Sequence, residues 1–211
     1  MRHSEGLAPR RAVPPPDEKR DMRDQLLAQL STHLRRPDVN TVQAIPELAD
    51  LLSGADHVDV KTAESQVSLR EFVAGAMSWR PGWMRMLFGA RTVLARMLRL
   101  REPDVPLGGP LHPEEVSFTP GDKIAFFTVT DAAEDRFLVL EAADNHLTCW
   151  LAIVTAPSAA GHARFEMVTV VKYHRWTGPL YFNIIRPFHH LVVAGMANAG
   201  ARSSAEGARR P

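Results

Sequence analysis

Residues 162–174 are rich in β-branched and aromatic side chains, the composition of a pleated, half-buried strand. Along it Phe165, Met167, Thr169, Val171 and Tyr173 share one face, while Glu166 and Lys172 share the other and His174 stands at the end. A corner follows at Arg175-Trp176-Thr177-Gly178-Pro179. There Thr177 or Gly178 can cap a helix, and Pro179 suits its first turn because no amide hydrogen is needed. From Leu180 to Met196 the chain is apolar nearly all round, so the helix it predicts needs a large partner surface. The preceding strands offer one. Pro187 sits inside this helix and predicts a kink.

Three earlier strands are predicted at about Lys123–Thr130, Arg136–Ala142 and Leu147–Ala156, separated by polar turns at Asp131–Asp135 and Asp144-Asn145. With the strand at 162–174 they make a four-stranded antiparallel meander. A further strand is predicted at His57–Ala63, where polar and apolar residues alternate as on a strand with one wet face. Ser68 and Glu71 have the spacing of a capping box, and a helix runs from there to Trp79. Pro81-Gly82 breaks it, and a second helix runs from Trp83 to about Leu100. Its Trp83, Met86, Leu87, Leu94, Met97 and Leu98 cluster on one side, read as core-facing, opposite Arg85, Thr92, Arg96 and Arg99. Residues 80–101 hold six arginines and no acid. A membrane-surface helix is the sharper reading of that face, and a solvated outer face is the plainer one, which the width of the apolar stripe favours.

The remaining chain is peripheral. Residues 1–16 carry four prolines and no periodicity, as expected of a disordered tail. Residues 17–54 form a helical extension, with Leu26, Leu30 and Leu34 in a narrow stripe and a short helical piece around Pro46 to Leu52. The domain proper is expected over 55–199, and 200–211 reads as a second frayed tail.

Composition narrows the function classes. The net charge of +1 provides no field that would draw nucleic acid. The single cysteine, Cys149, cannot form an intrachain disulfide, and the N-terminus lacks the apolar run of a secretory signal, so a cytoplasmic location is expected. No stretch is apolar enough for stable membrane insertion; even residues 180–197 contain Asn183, Arg186, His189 and His190.

Candidate chemistry is sparse. The nine histidines include no pair one helical turn apart, and adjacent His189 and His190 point about 100° apart on a helix, so no metal site is implied. Cys149 between Thr148 and Trp150 reads as a buried structural thiol. Neither a dinucleotide fingerprint nor a phosphate loop occurs, and no cofactor is implied. Glu141, at the end of the apolar run Phe137–Leu140, could be a cavity carboxylate with a raised pKa or could be a solvated group on an outer face.

The run Gly178-Pro179-Leu180-Tyr181-Phe182-Asn183-Ile184-Ile185-Arg186-Pro187-Phe188-His189-His190-Leu191-Val192-Val193 resembles the C-terminal signature of domain-of-unknown-function family 2867, within the START-like, helix-grip (SRPBCC) superfamily. Trp79-Arg80-Pro81-Gly82-Trp83 matches that family's helix, bend and arginine-rich helix, and the resemblance spans roughly residues 55–199. It implies an α+β helix-grip fold, a curved antiparallel sheet wrapped around a long C-terminal helix with additional helices before the meander. It also implies a cavity between sheet and helix for lipids, polyketides or other apolar small molecules. The family brings no catalytic residues. On this reading Phe165, Met167, Val171 and Tyr173 of the strand, Phe182, Ile185 and His189 of the helix, and Glu141 would line the ligand site. The leading function is to bind or carry a small molecule. A lyase, cyclase or hydrolase using Glu141, Tyr173 or His189, and an interaction domain docking an epimerase-like protein, are the alternatives; a homodimer is also compatible. Deletion of residues 1–15 is expected to leave the melting temperature unchanged, and a drop of several degrees would show that they pack on the domain.

Overall fold

A computed structural model describes residues 46–98, 109–158 and 162–207. The expectations for residues 1–16, for the helix at Asp17–Leu34 and for residues 208–211 lie outside these. The described elements are helix α1 (Pro46–Ser53), strand β1 (His57–Ser65), helices α2 (Leu69–Ser78) and α3 (Gly82–Met97), strands β2 (Lys123–Ile124), β3 (Phe127–Ala133), β4 (Phe137–Ala143), β5 (Leu147–Pro157) and β6 (Ala163–Tyr173), and helix α4 (Thr177–Gly207). The strands form one antiparallel sheet in the order β1-β6-β5-β4-β3-β2. This is the expected curved sheet with a long C-terminal helix, an α+β helix-grip architecture.

Local chemistry accounts for several boundaries. The capping box forms: the Ser68 amide donates to Glu71 Oε2 at 2.8 Å, and the Glu71 amide donates to Ser68 Oγ at 3.2 Å. Asp135 turns β3 into β4 at φ 67°, a conformation that a short polar side chain tolerates. The single strand expected at Lys123–Thr130 is instead two, because the chain reverses at Ala125-Phe126 with Ala125 at φ 54°. Neither residue is a turn former, so the sequence carries no signal of this hairpin.

Both faces of the sheet are covered. On the inner face Leu138, Leu140, Leu151, Ile153, Phe165 and Met167 join Phe72, Val73 and Met77 of α2 and Val193 and Ala197 of α4 in one continuous core. On the outer face Phe137, Val139, Ala152, Val154, Val168 and Val170 pack with Leu48 of α1. Helix α1 is thus part of the domain's packing rather than an appendage to it.

Helix α4 runs past Ala199, where fraying was expected, to Gly207. Its last turns are held by side chains: Ser65 Oγ donates to the Ala201 carbonyl at 2.7 Å, and Ser203 Oγ lies 3.2 Å from the Glu71 carbonyl. Small residues let the backbones meet. A Cβ on Gly75 would stand 2.9 Å from that of Ser203, one on Gly200 would stand 2.7 Å from the Phe72 carbonyl oxygen, and one on Gly195 would overlap the Trp79 indole. Pro187 lies within the helix on its exposed side, as does Asn183, whose carbonyl loses its helical partner, so water can serve that carbonyl.

Helix α3 departs from expectation. Met84 and Ala95 are its buried residues, whereas Met86 and Met97, assigned from the sequence to the core side, are 76% and 77% exposed. Leu94 and Leu98 remain half-buried against the cluster that includes Tyr181 and Phe182, and Arg91 Nε donates to the Tyr181 hydroxyl at 2.6 Å. The helix thus leans on α4 by its flank and leaves part of the apolar stripe uncovered.

Gly200→Ala is expected to destabilise the fold by about 1–3 kcal/mol through overpacking. Helix propensity alone would change stability by about 1 kcal/mol in the opposite direction. Urea unfolding decides the sign, and a neutral or stabilised variant would refute the close packing.

Candidate functional site

The residues proposed from the sequence divide into three environments. Phe165 and Met167 are fully buried in the main core, where the Phe165 ring stacks on Phe72 at 4.2 Å and 9°. Val171, Tyr173, Phe182 and Ile185 gather at the other end of the sheet–helix interface with Leu147 and Tyr181. His189 lies beside them, its Nε2 3.3 Å from Thr169 Oγ1 and its ring 5.9 Å from Phe182. Glu141 belongs to neither group. It alternates with Leu140 and shares the outer face with Val139, and its Oε2 accepts from Trp150 Nε1 at 2.8 Å. The parity of β4 therefore removes Glu141 from the helix side of the sheet.

The sequence reading missed the strongest polar group at this interface. It took His57, Asp59 and Lys61 for a wet face of β1. In the structure they look towards α4, while Val60 on the opposite face packs under α1. The His57 ring stands 4.8 Å from Phe182. Lys61 Nζ donates to Asp59 Oδ1 at 2.8 Å and lies 3.5 Å from His190 Nδ1. The same His190 nitrogen is 3.1 Å from Asp59 Oδ2, an ion-pair contact rather than a well-aligned hydrogen bond. His57 Nε2 is buried with no hydrogen-bond partner among the described residues. The available signal was the adjacency of His189 and His190 on a helix that had to cross the edge strand.

Burial sets the protonation of this group. It pushes His189 down to about 4, with repulsion from His190, His57 and Lys61 adding to it and attraction by Asp59 opposing it. It also lowers His57, despite the nearby Asp59 carboxylate. Burial and Asp56 together raise the Tyr173 phenol, while the Asp56 carboxylate accepts from the Tyr173 amide at 2.6 Å. At pH 7 the His189 imidazole is therefore neutral and able to accept a proton or a hydrogen bond.

Other candidates lead elsewhere. Burial pushes the Cys149 thiol up to about 12, which removes its nucleophilic form. Glu166, which shares the outer face with Val168, is buried and lies 3.0 Å from the Arg164 guanidinium. Among the described residues no group of three or more His, Cys, Asp or Glu is placed to hold a metal ion. An open, polar groove of about 600 Å³ is lined by Arg70, Glu114, Glu115, Phe118 and Glu134, and includes none of the residues proposed from the sequence. Its Arg70 is already committed to Glu134, the Val116 carbonyl and the Phe118 ring.

Comparisons with known proteins leave the chemistry open. A family model described as "Protein of unknown function (DUF2867)" matches residues 51–196. No curated protein matches the sequence. Among solved structures, the Mll3558 protein from Rhizobium loti is 10% identical, with 70% of this chain and 96% of that one covered and a TM-score of 0.37. Norcoclaurine synthase from Thalictrum flavum is 13% identical, with 75% and 92% covered and a TM-score of 0.39.

The histidine shift has a sign. A folded-state pKa near 4 against 6.5 unfolded means that below pH 6.5 the unfolded chain binds more protons, so stability falls as pH drops from 6.5 towards 4. The loss attributable to His189 is about 2–3 kcal/mol. Urea unfolding at pH 7.5 and pH 5 is expected to show a smaller acid loss for His189→Gln than for the parent chain. Equal losses would place the imidazole in water.

Proposed function

The chain belongs to the DUF2867 family of proteins of unknown function, and we propose that its β1–α4 seam binds a small molecule with an apolar body and a hydrogen-bond-donating group. The observation that carries this reading is the buried, unpartnered His57 Nε2 beside the Phe182 ring. With its hydrogen on Nδ1, the neutral ring presents Nε2 as an acceptor; leaving it orphaned costs about 1–3 kcal/mol, and a ligand hydroxyl or amine would remove that cost. Val171, Tyr173, Phe182 and Ile185 offer apolar contact next to it. Phe165 and Met167 back the site from the core rather than touching ligand. A hydroxylated terpenoid, sterol or polyketide fits this chemistry better than a plain hydrocarbon. The lone cysteine is consistent with a reducing, cytoplasmic setting for such a carrier.

One observation favours a second reading as an enzyme. The neutral His189, held near the Thr169 hydroxyl, can accept a hydrogen bond from a substrate hydroxyl and orient it, although its lowered basicity makes it a weak base.

A thermal-shift screen of sterols, terpenoids, phenolic polyketides and fatty acids tests the binding reading. A ligand at about 100 times its Kd would stabilise the fold by about 2.7 kcal/mol. His57→Leu is expected to abolish the shift produced by hydroxylated ligands while leaving the apo protein at least as stable. A ligand that stabilises the parent and this variant equally, or a screen with no stabilising compound, would defeat the proposal.

A further inference from the structure

Helix α3, and helix α4 up to its last turn, lie in two stretches without a single carboxylate. No Asp or Glu occurs between Glu71 and Glu102, or between Glu166 and Glu206, in a chain that carries 24 acidic residues. Each helix also turns an apolar stripe to solvent. On α3, Met86, Val93 and Met97 recur at helical spacing on the side away from buried Met84 and Ala95. On α4, Ile184, Phe188 and Leu191 are exposed and stand in line with Gly195.

The two helices share one seam. Trp79 covers Gly195 and meets Trp83, at the start of α3, edge-on at 5.8 Å. Near the other end of α3, Leu94 and Leu98 pack against the cluster that includes Tyr181 and Phe182 of α4. The helices therefore run antiparallel, and each turns an uncovered apolar stripe to solvent. Arg85 and Arg96 stand exposed on α3, with no ion pair among the described residues. Arg175 and Trp176, both exposed, precede the first turn of α4.

We propose that this face docks the protein on the surface of an anionic lipid bilayer. Protruding methionine, aromatic and aliphatic side chains beside arginines are the composition of a helix that lies in the headgroup plane. Charge decides against a second copy as occupant. A two-fold contact through this face would set arginines against arginines, with no carboxylate on α3, or on α4 before its last turn, to pair them. No described helix is long and apolar enough to cross a membrane, so the contact is peripheral and reversible.

The test is co-sedimentation of the full chain with vesicles of phosphatidylcholine alone and of phosphatidylcholine with phosphatidylglycerol, with and without added salt. Binding is expected only to the anionic vesicles and is expected to weaken with salt. Each arginine near an anionic surface contributes about fivefold, so Arg85→Glu with Arg96→Glu should lower partitioning by at least about tenfold. Met86→Asp with Met97→Asp should abolish it. Lys123→Glu, on the far edge strand, should change it little. These positions are exposed, and circular dichroism and melting temperature confirm that each variant folds. No binding to anionic vesicles at low salt would overturn the proposal, as would equal partitioning of the parent and both double variants. A dimer in analytical ultracentrifugation that Met86→Asp dissolves would also overturn it, in favour of an interface between copies. Vesicle binding is read independently of the thermal screen, so either proposal can fail alone.

Discussion

Close approach of α4 to α2 is the contact on which the rest of this structure depends. Phe165 of the sheet stacks on Phe72 of α2, and the Phe72 ring and carbonyl in turn meet the bare backbone of Gly200. Strand, helix and helix are thus joined by one aromatic pair and one glycine. Gly75 and Gly195 repeat the device, the first against Ser203 and the second against Trp79. Without a Cβ at these positions, α4 settles low on the inner face, where interiors are packed like molecular crystals. This accounts for the helix remaining regular beyond the point at which its apolar pattern ends. Serine-to-carbonyl bonds and glycine contacts hold its final turns where large side chains would not fit.

The low seat of α4 has a consequence at the sheet edge. The helix crosses β1, and the inward-facing residues of β1 there are His57, Asp59 and Lys61. Placing such groups under a helix is unfavourable unless they find partners. Asp59 finds the Lys61 ammonium and a His190 ring nitrogen, and His189 lies near the Thr169 hydroxyl. His57 Nε2 finds none among the described residues. Desolvation then acts on whatever remains, which is why the two more enclosed imidazoles are biased to the neutral form. An interface that is otherwise apolar thus acquires one polar end, with acceptors available and an aromatic ring beside them.

The same packing decides what stays outside. Helix α3 touches α4 along one flank and buries only Met84 and Ala95, so its methionines at 86 and 97 face solvent. Large apolar residues scattered singly over a surface are ordinary, but aligned stripes on two neighbouring helices are not. The absence of carboxylates from α3, and from α4 before its last turn, gives this side a sign that the net charge of +1 conceals, because the acids are concentrated elsewhere along the chain.

Much of the fold was legible in the residues themselves. The capping box at Ser68 and Glu71, the β-branched runs of β4 to β6, the turn residues Asp144-Asn145 between β4 and β5, and the long apolar helix all follow from local chemistry, and they appear where that chemistry puts them. Alternation in β6 correctly grouped Phe165, Met167 and Val171 on the helix side. Periodicity, however, states which residues share a face and not which face another element will cover. For β4 the question was decided by α1 on one side and α4 on the other, which put Glu141 on the side away from the C-terminal helix. For β1 the same covers turned the apparently wet face inward, under His189 and His190. For α3 it was the limited reach of α4 that left part of an apolar stripe bare. The hairpin at Ala125 and the final turns of α4 rest on contacts between residues far apart in the chain, which no local pattern encodes. The sequence by itself determined the elements and the residues that share each face; only the tertiary structure decided which faces meet, because burial is a property of pairs of surfaces rather than of either one.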